Sequence, residues 1–413
     1  MMSIILTMII ERPMEAKRIR ETPKWTLVYG RRKTGKSFLV ERSVPWNEYY
    51  FVKQDRTILS KRNNKSISYE AFLEILKQNL EMKKIIVIDE FHRLGNDFFD
   101  LLHASEKQGR LIVVSSTLFL AHRLLGSKSP LLGIFAEIPI GLIKLNDALS
   151  ALRDFTGEKK QRLELALFMR EPILVDYVSD KTTARNAFAT VLQTSARTVP
   201  AFVGEIFTEE QRTTSAIYEG ILRAIANGKT NSAHISSYLF ARKLLQKDDP
   251  SVIQRHLDNL VQFGIIKKIK VFEKNKFAYR HVSPLCWLYY YADEKYNVSE
   301  TNFTEEEATR VVDEVLPHIM EDNLREFIAE RLGLRESISE ASDFEVDGIL
   351  LRFTKPELAM EVKWKTKITN EDLEKAEKNL EKINAKQKLI FVPDKTQVQY
   401  HGKAKIVDIS DFA

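Results

Sequence analysis

Gly30-Arg31-Arg32-Lys33-Thr34-Gly35-Lys36-Ser37 sets two glycines four residues apart, with Lys and Ser directly behind the second. This is the spacing of a phosphate-binding loop, or P-loop. Successive backbone N–H groups of such a loop make an anion-sized concavity at a helix start. A lysine then reaches the β- and γ-phosphates of ATP, and a hydroxyl reaches Mg²⁺. Lys36 and Ser37 are the residues for those tasks, and Phe38 opens the helix behind them. A surface turn rich in Gly and Lys would carry the same letters, so the flanks decide. Trp25-Thr26-Leu27-Val28-Tyr29 is a short β-prone run and Phe38 to Arg42 continues as helix, giving the strand, loop and helix the motif requires.

A second constellation follows at Lys84-Ile85-Ile86-Val87-Ile88-Asp89-Glu90. Unbroken β-branched runs are strands buried on both faces of a parallel sheet. At the carboxyl end of this one, Asp89 can hold the Mg²⁺ and Glu90 can orient and deprotonate the water that attacks a γ-phosphate, as Walker B acids do. The plainer alternative is a buried strand that happens to end in acids. A further strand, Arg110 to Val114, leads into Ser115-Ser116-Thr117, where Ser116 either senses the γ-phosphate or caps a helix expected over Leu118 to Leu125.

The elements around these residues set the organisation. A chain of 413 residues with 44% hydrophobic content can bury several cores. Its net charge of +6 favours an acidic partner, although mixed charge at 29% of residues also suits a solvated surface. The single cysteine, Cys286, lies beside Trp287 and reads as a buried hydrophobe, which excludes a disulfide framework and points to a reducing, cytoplasmic setting. Met1 to Ile10 is apolar but lacks the flanks of a signal peptide, and no stretch is long enough to span a bilayer, so no membrane partner is expected.

The pattern predicts an α/β nucleotide-binding core over residues 1–145 and a helical lid over 146–210. Within the lid, Arg170-Glu171-Pro172 offers an arginine that either contacts the γ-phosphate or simply ends a helix. Residues 211–292 give three helices and then a basic hairpin from Lys267 to Arg280, the order of a winged helix-turn-helix. Its third helix would present Gln254, Arg255, His256 and Asn259 to the major groove of double-stranded DNA, with the hairpin lysines on phosphates. The alternative is a packing module with a solvated hairpin.

Residues 293–413 carry a third set of acids. Asp343 to Leu351 alternates as a strand, Lys355-Pro356 turns, and Glu357 to Trp364 reads as its neighbour. Side chains two apart on a strand share a face, so Glu361 and Lys363 stand together. With Asp347 beside Glu361 they could hold a divalent metal and an attacking water, and a helix over Asn323 to Glu330 could add Glu326. The order of helix with Glu, strand with Asp, strand with Glu-x-Lys, helix and strand is that of a restriction-endonuclease-like α/β domain. Ordinary ion pairs in a small α/β domain remain the alternative.

Taken together the chain resembles the archaeal ATPase family of the AAA+ class, in the form fused to a C-terminal domain that looks like PD-(D/E)XK nucleases. Glu11-Arg12-Pro13-Met14-Glu15, the arginine-rich loop, Ile88-Asp89-Glu90-Phe91, Ser283-Pro284-Leu285-Cys286-Trp287, and Asp347 with Glu361-Val362-Lys363-Trp364 carry the resemblance. It implies a P-loop αβα sandwich with lid, winged helix and nuclease-like domain, ATP or ADP with Mg²⁺ as ligands, and DNA as partner; a remodelling motor, a third reading, would require nucleotide-dependent self-association. A slow signalling ATPase of the STAND kind, without nuclease chemistry, is the competing expectation. Three departures bear on hydrolysis and γ-phosphate sensing: no arginine follows Gly133, no glycine precedes Ser115, and Arg170-Glu171 replaces a glycine pair.

Overall fold

The computed structural model describes residues 8–116, 133–179, 182–194, 199, 215–339 and 345–412. The chain divides into two compact units, Glu11–Ile143 and a second that runs from Lys144 onward. The expected helix Leu118 to Leu125, the residues just before Gly133, Asp343 and most of Met1 to Ile10 lie outside the described residues.

The first unit opens with α1 (Pro13–Glu21), which has proline in its first turn, where the missing N–H leaves no helical bond unmade. There follow β1 (Thr26–Tyr29), α2 (Lys36–Ser43), β2 (Glu48–Val52), β3 (Ile58–Ser60), β4 (Lys65–Ile67), α3 (Tyr69–Glu81), β5 (Ile85–Asp89), α4 (Asn96–Ala104), β6 (Arg110–Ser115) and β7 (Ala136–Pro139). One sheet holds the strands in the order β4-β3-β2-β5-β6-β1-β7. It is parallel from β2 to β7, with β3 and β4 as an antiparallel edge. Along β5, Ile86 and Ile88 join Phe72, Leu76 and Phe98 on one face, while Val87 joins Leu39 and Val40 on the other. Both faces are therefore covered, which is why β5 reads as an uninterrupted apolar run. β6 separates β1 from β5, and the register sets Tyr29 against Ser115 and Asp89 against Val114. The tips of the three strands stand side by side.

The second unit begins with short helices, α5 (Leu145–Ala151), α6 (Lys159–Phe168) and α7 (Ala184–Thr194). Next come α8 (Ser215–Ala226), α9 (Ser232–Ala241) and α10 (Pro250–Gln262), then the hairpin β8 (Ile266–Val271) and β9 (Phe277–His281), and α11 (Pro284–Tyr296). The unit ends with α12 (Glu305–Leu332), β10 (Arg335–Ile338), β11 (Gly348–Arg352), β12 (Lys355–Val362), α13 (Asn370–Glu381), β13 (Gln387–Phe391) and β14 (Lys405–Val407). α12 runs 28 residues from a Thr304–Glu307 capping box to Gly333, whose φ of 61° closes the helix in the left-handed region that glycine tolerates. Cys286 is buried in α11. No helix among the described residues is long and apolar enough to cross a membrane.

A single seven-stranded sheet runs through this unit in the order β14-β13-β12-β11-β10-β8-β9. β8 pairs in parallel with β10, so the hairpin continues the C-terminal sheet and the expected boundary at 292 falls inside one hydrogen-bonded structure. The joint is held by charge. Lys267 of β8 points onto α12, where its ammonium meets Glu326 at 2.8 Å, Asp322 at 3.3 Å and Glu336 of β10 at 3.4 Å. Burial pulls this lysine's pKa down, but the three carboxylates outweigh it and hold it raised. Arg325 completes the knot, with Glu336 at 3.1 Å and Asp322 beside it.

Removing one member of a buried charge cluster leaves the others unpaired, at about 3–5 kcal/mol. Lys267→Ala is expected to lower unfolding stability by that order in urea titration. Lys270→Ala, three residues along on the exposed side, should stay within about 0.5 kcal/mol. Equal effects of the two substitutions would show that the knot does not hold the joint.

Candidate functional site

The loop from Gly30 to Ser37 leaves β1 and enters α2. Gly30 has φ of 158°, and a Cβ there would sit 2.0 Å from the Ile140 carbonyl oxygen, so the strand can leave the sheet at this point only through glycine. Lys33 at φ 63° and Gly35 at φ 81° bring the chain round to the helix. The first intrahelical bond of α2 runs from Leu39 N to Gly35 O at 2.9 Å, so helix geometry leaves the N–H groups of Lys36, Ser37 and Phe38 for another acceptor. Lys36 is buried, with its ammonium on the Arg31 carbonyl at 2.7 Å, and Thr34 Oγ1 donates to the same oxygen at 2.9 Å. Arg31 and Arg32 are half-buried, while Phe38 is exposed with the Arg42 guanidinium 5.0 Å over its ring.

Arg12 clamps this loop from outside. Its guanidinium donates to Thr34 O at 3.0 Å, to Gly141 O and Leu142 O at 3.2 Å, and to Glu15 at 3.0 Å. The opening motif Glu11 to Glu15 thus acts by tying the loop to the chain beyond β7.

Asp89 and Glu90 stand at the tip of β5, facing the loop. Asp89 accepts from the Tyr49 phenol at 3.0 Å, from its neighbour's backbone N at 2.9 Å, and from the Ser37 hydroxyl. Burial raises its pKa above the usual carboxylate range despite these donors. The Ser37 hydroxyl and Asp89 carboxylate are hard oxygen donors in contact, a set that suits Mg²⁺. Glu90 adopts φ 56°, rare for a side chain of its size and a mark of functional positions. Its Oε2 accepts from Ser116 Oγ at 3.1 Å and lies 3.4 Å from both His92 and Arg93. Burial, then the charges of Arg93 and Arg32, depress His92 to about 4, so it is neutral at pH 7. The structure therefore brings together Lys36, Ser37, Asp89, Glu90 and Ser116. Tyr49 and Arg93 belong to the same group; sequence carried no signal for Tyr49, and only position after the Walker acids for Arg93.

In the second unit Asp347, Glu361 and Lys363 also converge. Asp347 accepts from Val362 N at 2.7 Å, and Lys363 Nζ lies 2.6 Å from Glu361. Burial, with the charges of Glu321 and Glu361, holds Asp347 well above the carboxylate range. A cleft of about 540 Å³ opens here, with His318, Glu321 and Asp347 on its wall. The helix acid is Glu321, which meets His318 at 3.2 Å. Glu326, expected in that role, belongs to the knot around Lys267 and pairs with Arg170 at 2.8 Å. Five residues along a helix turn a side chain well off the original face, so Glu321 faces the cleft while Glu326 faces the knot. No group of three or more His, Cys, Asp or Glu among the described residues is arranged to hold a metal ion. Asp347 and Glu361 lie close enough for each charge to act on the other, with the Lys363 ammonium on Glu361.

Arg170 likewise has protein partners in place of a γ-phosphate. It is buried and bonded to Glu326 and Asn323, while Glu171 accepts from Ser283. The pair ties α6 to α12 and α11 within this unit. On α10, Asn259 donates to Tyr218 at 2.7 Å, His256 packs edge-on against Tyr218 at 5.0 Å, and Gln254 donates to Asp258 at 2.9 Å. Of the expected groove readers, Arg255 is the one that stands exposed.

Residues 22–138 match the family model described as an AAA domain. No curated protein matches the chain. Among solved structures, the Walker-type ATPase paby2304 of Pyrococcus abyssi is similar at 18% identity and TM-score 0.50, over 68% of this chain and 96% of that one. The Aeropyrum pernix ORC2 protein in its ADPNP–ADP complexes matches at 14% identity and TM-score 0.37, over 76% and 92%. The ORC1 protein of the same organism with DNA matches at 13% and 0.30, over 71% and 95%. At these identities the likeness to the first is one of fold.

Burial lowers the Lys36 ammonium to about 8 from 10.5, with Arg31 and Arg32 adding to the effect. Above that pH the free protein has shed a proton that bound phosphates would restore. Nucleotide affinity is expected to be flat below pH 8 and to fall by up to about tenfold per pH unit above it. The free protein should meanwhile gain stability from this group as pH rises from about 8 towards 10.5, because the unfolded chain keeps the proton longer. Calorimetry above pH 8 in buffers of different ionisation enthalpy reads the uptake. A buffer-independent binding enthalpy would refute it.

Proposed function

We propose that this chain is an ATPase whose nucleotide state governs a nucleic-acid-binding second unit. The observation that carries the proposal is the convergence of Lys36, Ser37, Asp89 and Glu90 at adjoining strand tips, with Glu90 restrained by Ser116, His92 and Arg93.

The loop N–H groups and Lys36 bind the phosphates, and displacement of the Arg31 carbonyl from Lys36 frees the ammonium to do so. Ser37 and Asp89 are the residues that would hold Mg²⁺, whose charge offsets that of the phosphates. Tyr49 keeps the Asp89 carboxylate turned to the loop. Glu90 accepts the proton of the attacking water. Its contacts with Ser116 and Arg93 compete for the same oxygen, which favours slow turnover until they are released.

α8, α9 and α10 followed by the β8–β9 hairpin have the composition of a winged helix, and exposed Lys268, Lys270, Lys274 and Lys276 supply cations for phosphates. The proposal is of a regulatory ATPase, and it assigns Asp347, Glu361 and Lys363 no cleavage step.

Glu90→Gln is expected to retain nucleotide binding while slowing single-turnover ATP hydrolysis by about 10²–10⁴-fold. Lys36→Ala should lose binding itself, read with a fluorescent nucleotide. Hydrolysis at the unmodified rate by Glu90→Gln would sink the assignment.

A further inference from the structure

The turn between β11 and β12 puts an aromatic where turn chemistry asks for something else. Arg352 pairs with Lys355, so Phe353 and Thr354 form a two-residue hairpin loop. Asn, Asp or Gly normally fills the positive-φ positions of such loops. Phe353 occupies one at φ 59° and is 86% exposed, the most exposed large hydrophobic side chain among the described residues. A local rule broken without packing in return marks a position kept for contact with something else.

Its surroundings say what. Arg335 donates to the Phe353 carbonyl, and Arg352 and Lys355 are exposed beside it. The register extends the patch. β10 pairs Ser337 with Lys270, so Arg335 lies on the face of Lys268 and Lys270, opposite the face that carries Lys267 and Glu336 into the knot. Lys270 pairs with Phe277, and the Lys268 ammonium lies 4.3 Å over the Phe277 ring, which is 38% exposed. α13 packs on β12 and β13, and α10 and α8 pack on β8 and β9, while Lys268, Lys270, Phe277, Arg335 and Phe353 stay exposed. Phe277 and Phe353 thus stand three strands apart, on the order of 20 Å by strand spacing and rise, with Lys268, Lys270 and Arg335 between them.

We propose that this face, from Phe277 through Lys268, Lys270 and Arg335 to Phe353, binds single-stranded nucleic acid, with the two phenylalanines stacking bases and the cations following the backbone. The inference rests on the nucleic-acid reading above and moves the contact from α10 to the sheet. Exposed aromatics interleaved with cations are what sequence-tolerant single-strand surfaces consist of, and the span suits about four or more nucleotides. A membrane surface would need a broader apolar area than one protruding ring provides.

The test is fluorescence anisotropy of the full chain with a labelled thymidine oligomer of about 20 nucleotides, alongside a duplex and phosphatidylserine-containing vesicles. Phe353→Ala and Phe277→Ala should each weaken single-strand binding by about five- to a hundredfold, and Phe353→Trp should retain it. Arg255→Ala should leave it unchanged. Nucleotide binding, measured on the same variants, reports that the fold is intact. If Arg255→Ala abolishes binding while both alanine variants bind normally, the sheet-face inference falls and the nucleic-acid reading stands. If no nucleic acid binds at all, both fall. If Phe353→Ala loses the vesicles and keeps the oligomer, the patch is a lipid surface and the inference is overturned.

Discussion

Lys267 sits among three carboxylates with little water to share the charge, and much of the second unit is arranged around that fact. A lysine in such a place cannot stay charged without its partners, nor the partners without it. The pairing therefore fixes β8 against α12 and β10, and the hairpin becomes part of the C-terminal sheet. It also fixes the neighbours. With Lys267 directed inward, strand alternation sends Lys268 and Lys270 outward, onto the face where Phe277 lies. Arg170 and Arg325 are drawn in to balance Glu326, Asp322 and Glu336. One buried ammonium thus decides which charges are structural and which remain for a partner.

The nucleotide unit rests on backbone geometry more than on ion pairs. Its loop depends on Gly30 passing within van der Waals reach of Ile140 and on Arg12 gathering carbonyls from the loop and from the chain beyond β7. Parallel strands place Tyr29, Asp89 and Ser115 at one edge, so residues far apart in sequence meet without any long side chain having to reach.

This contrast explains what sequence could reveal. The phosphate loop, the acids Asp89 and Glu90, and the strands carrying them were legible because each motif is contiguous and its chemistry requires a fixed spacing. Asp347, Glu361 and Lys363 were legible as neighbours for the same reason, since alternation on a strand fixes them. The role of Glu326 was not. Its partner Arg170 is 156 residues away, and nothing local distinguishes a helix acid that faces a cleft from one that faces a cation. Glu321 was missed for that reason, and helical periodicity does not say that Tyr218 lies across from His256 and Asn259. The pairing of β8 with β10 was equally invisible, since either strand taken alone reads as an edge.

Turnover depends on the surroundings of Glu90. Its carboxylate oxygen is shared between Ser116, which ends the strand beside the loop, and Arg93, on the turn that follows β5. Both donors lie in the nucleotide unit, whereas Arg170, the lid arginine expected to answer the γ-phosphate, is occupied by Glu326 and Asn323. On the proposed reading, sensing and general-base positioning then share one hydrogen bond. A γ-phosphate that recruits the Ser116 hydroxyl takes it from Glu90, leaving the carboxylate to Arg93 and His92, of which only the arginine is charged at neutral pH. The nucleotide state would be registered first as a rearrangement around one glutamate, and hydrolysis would follow from its release.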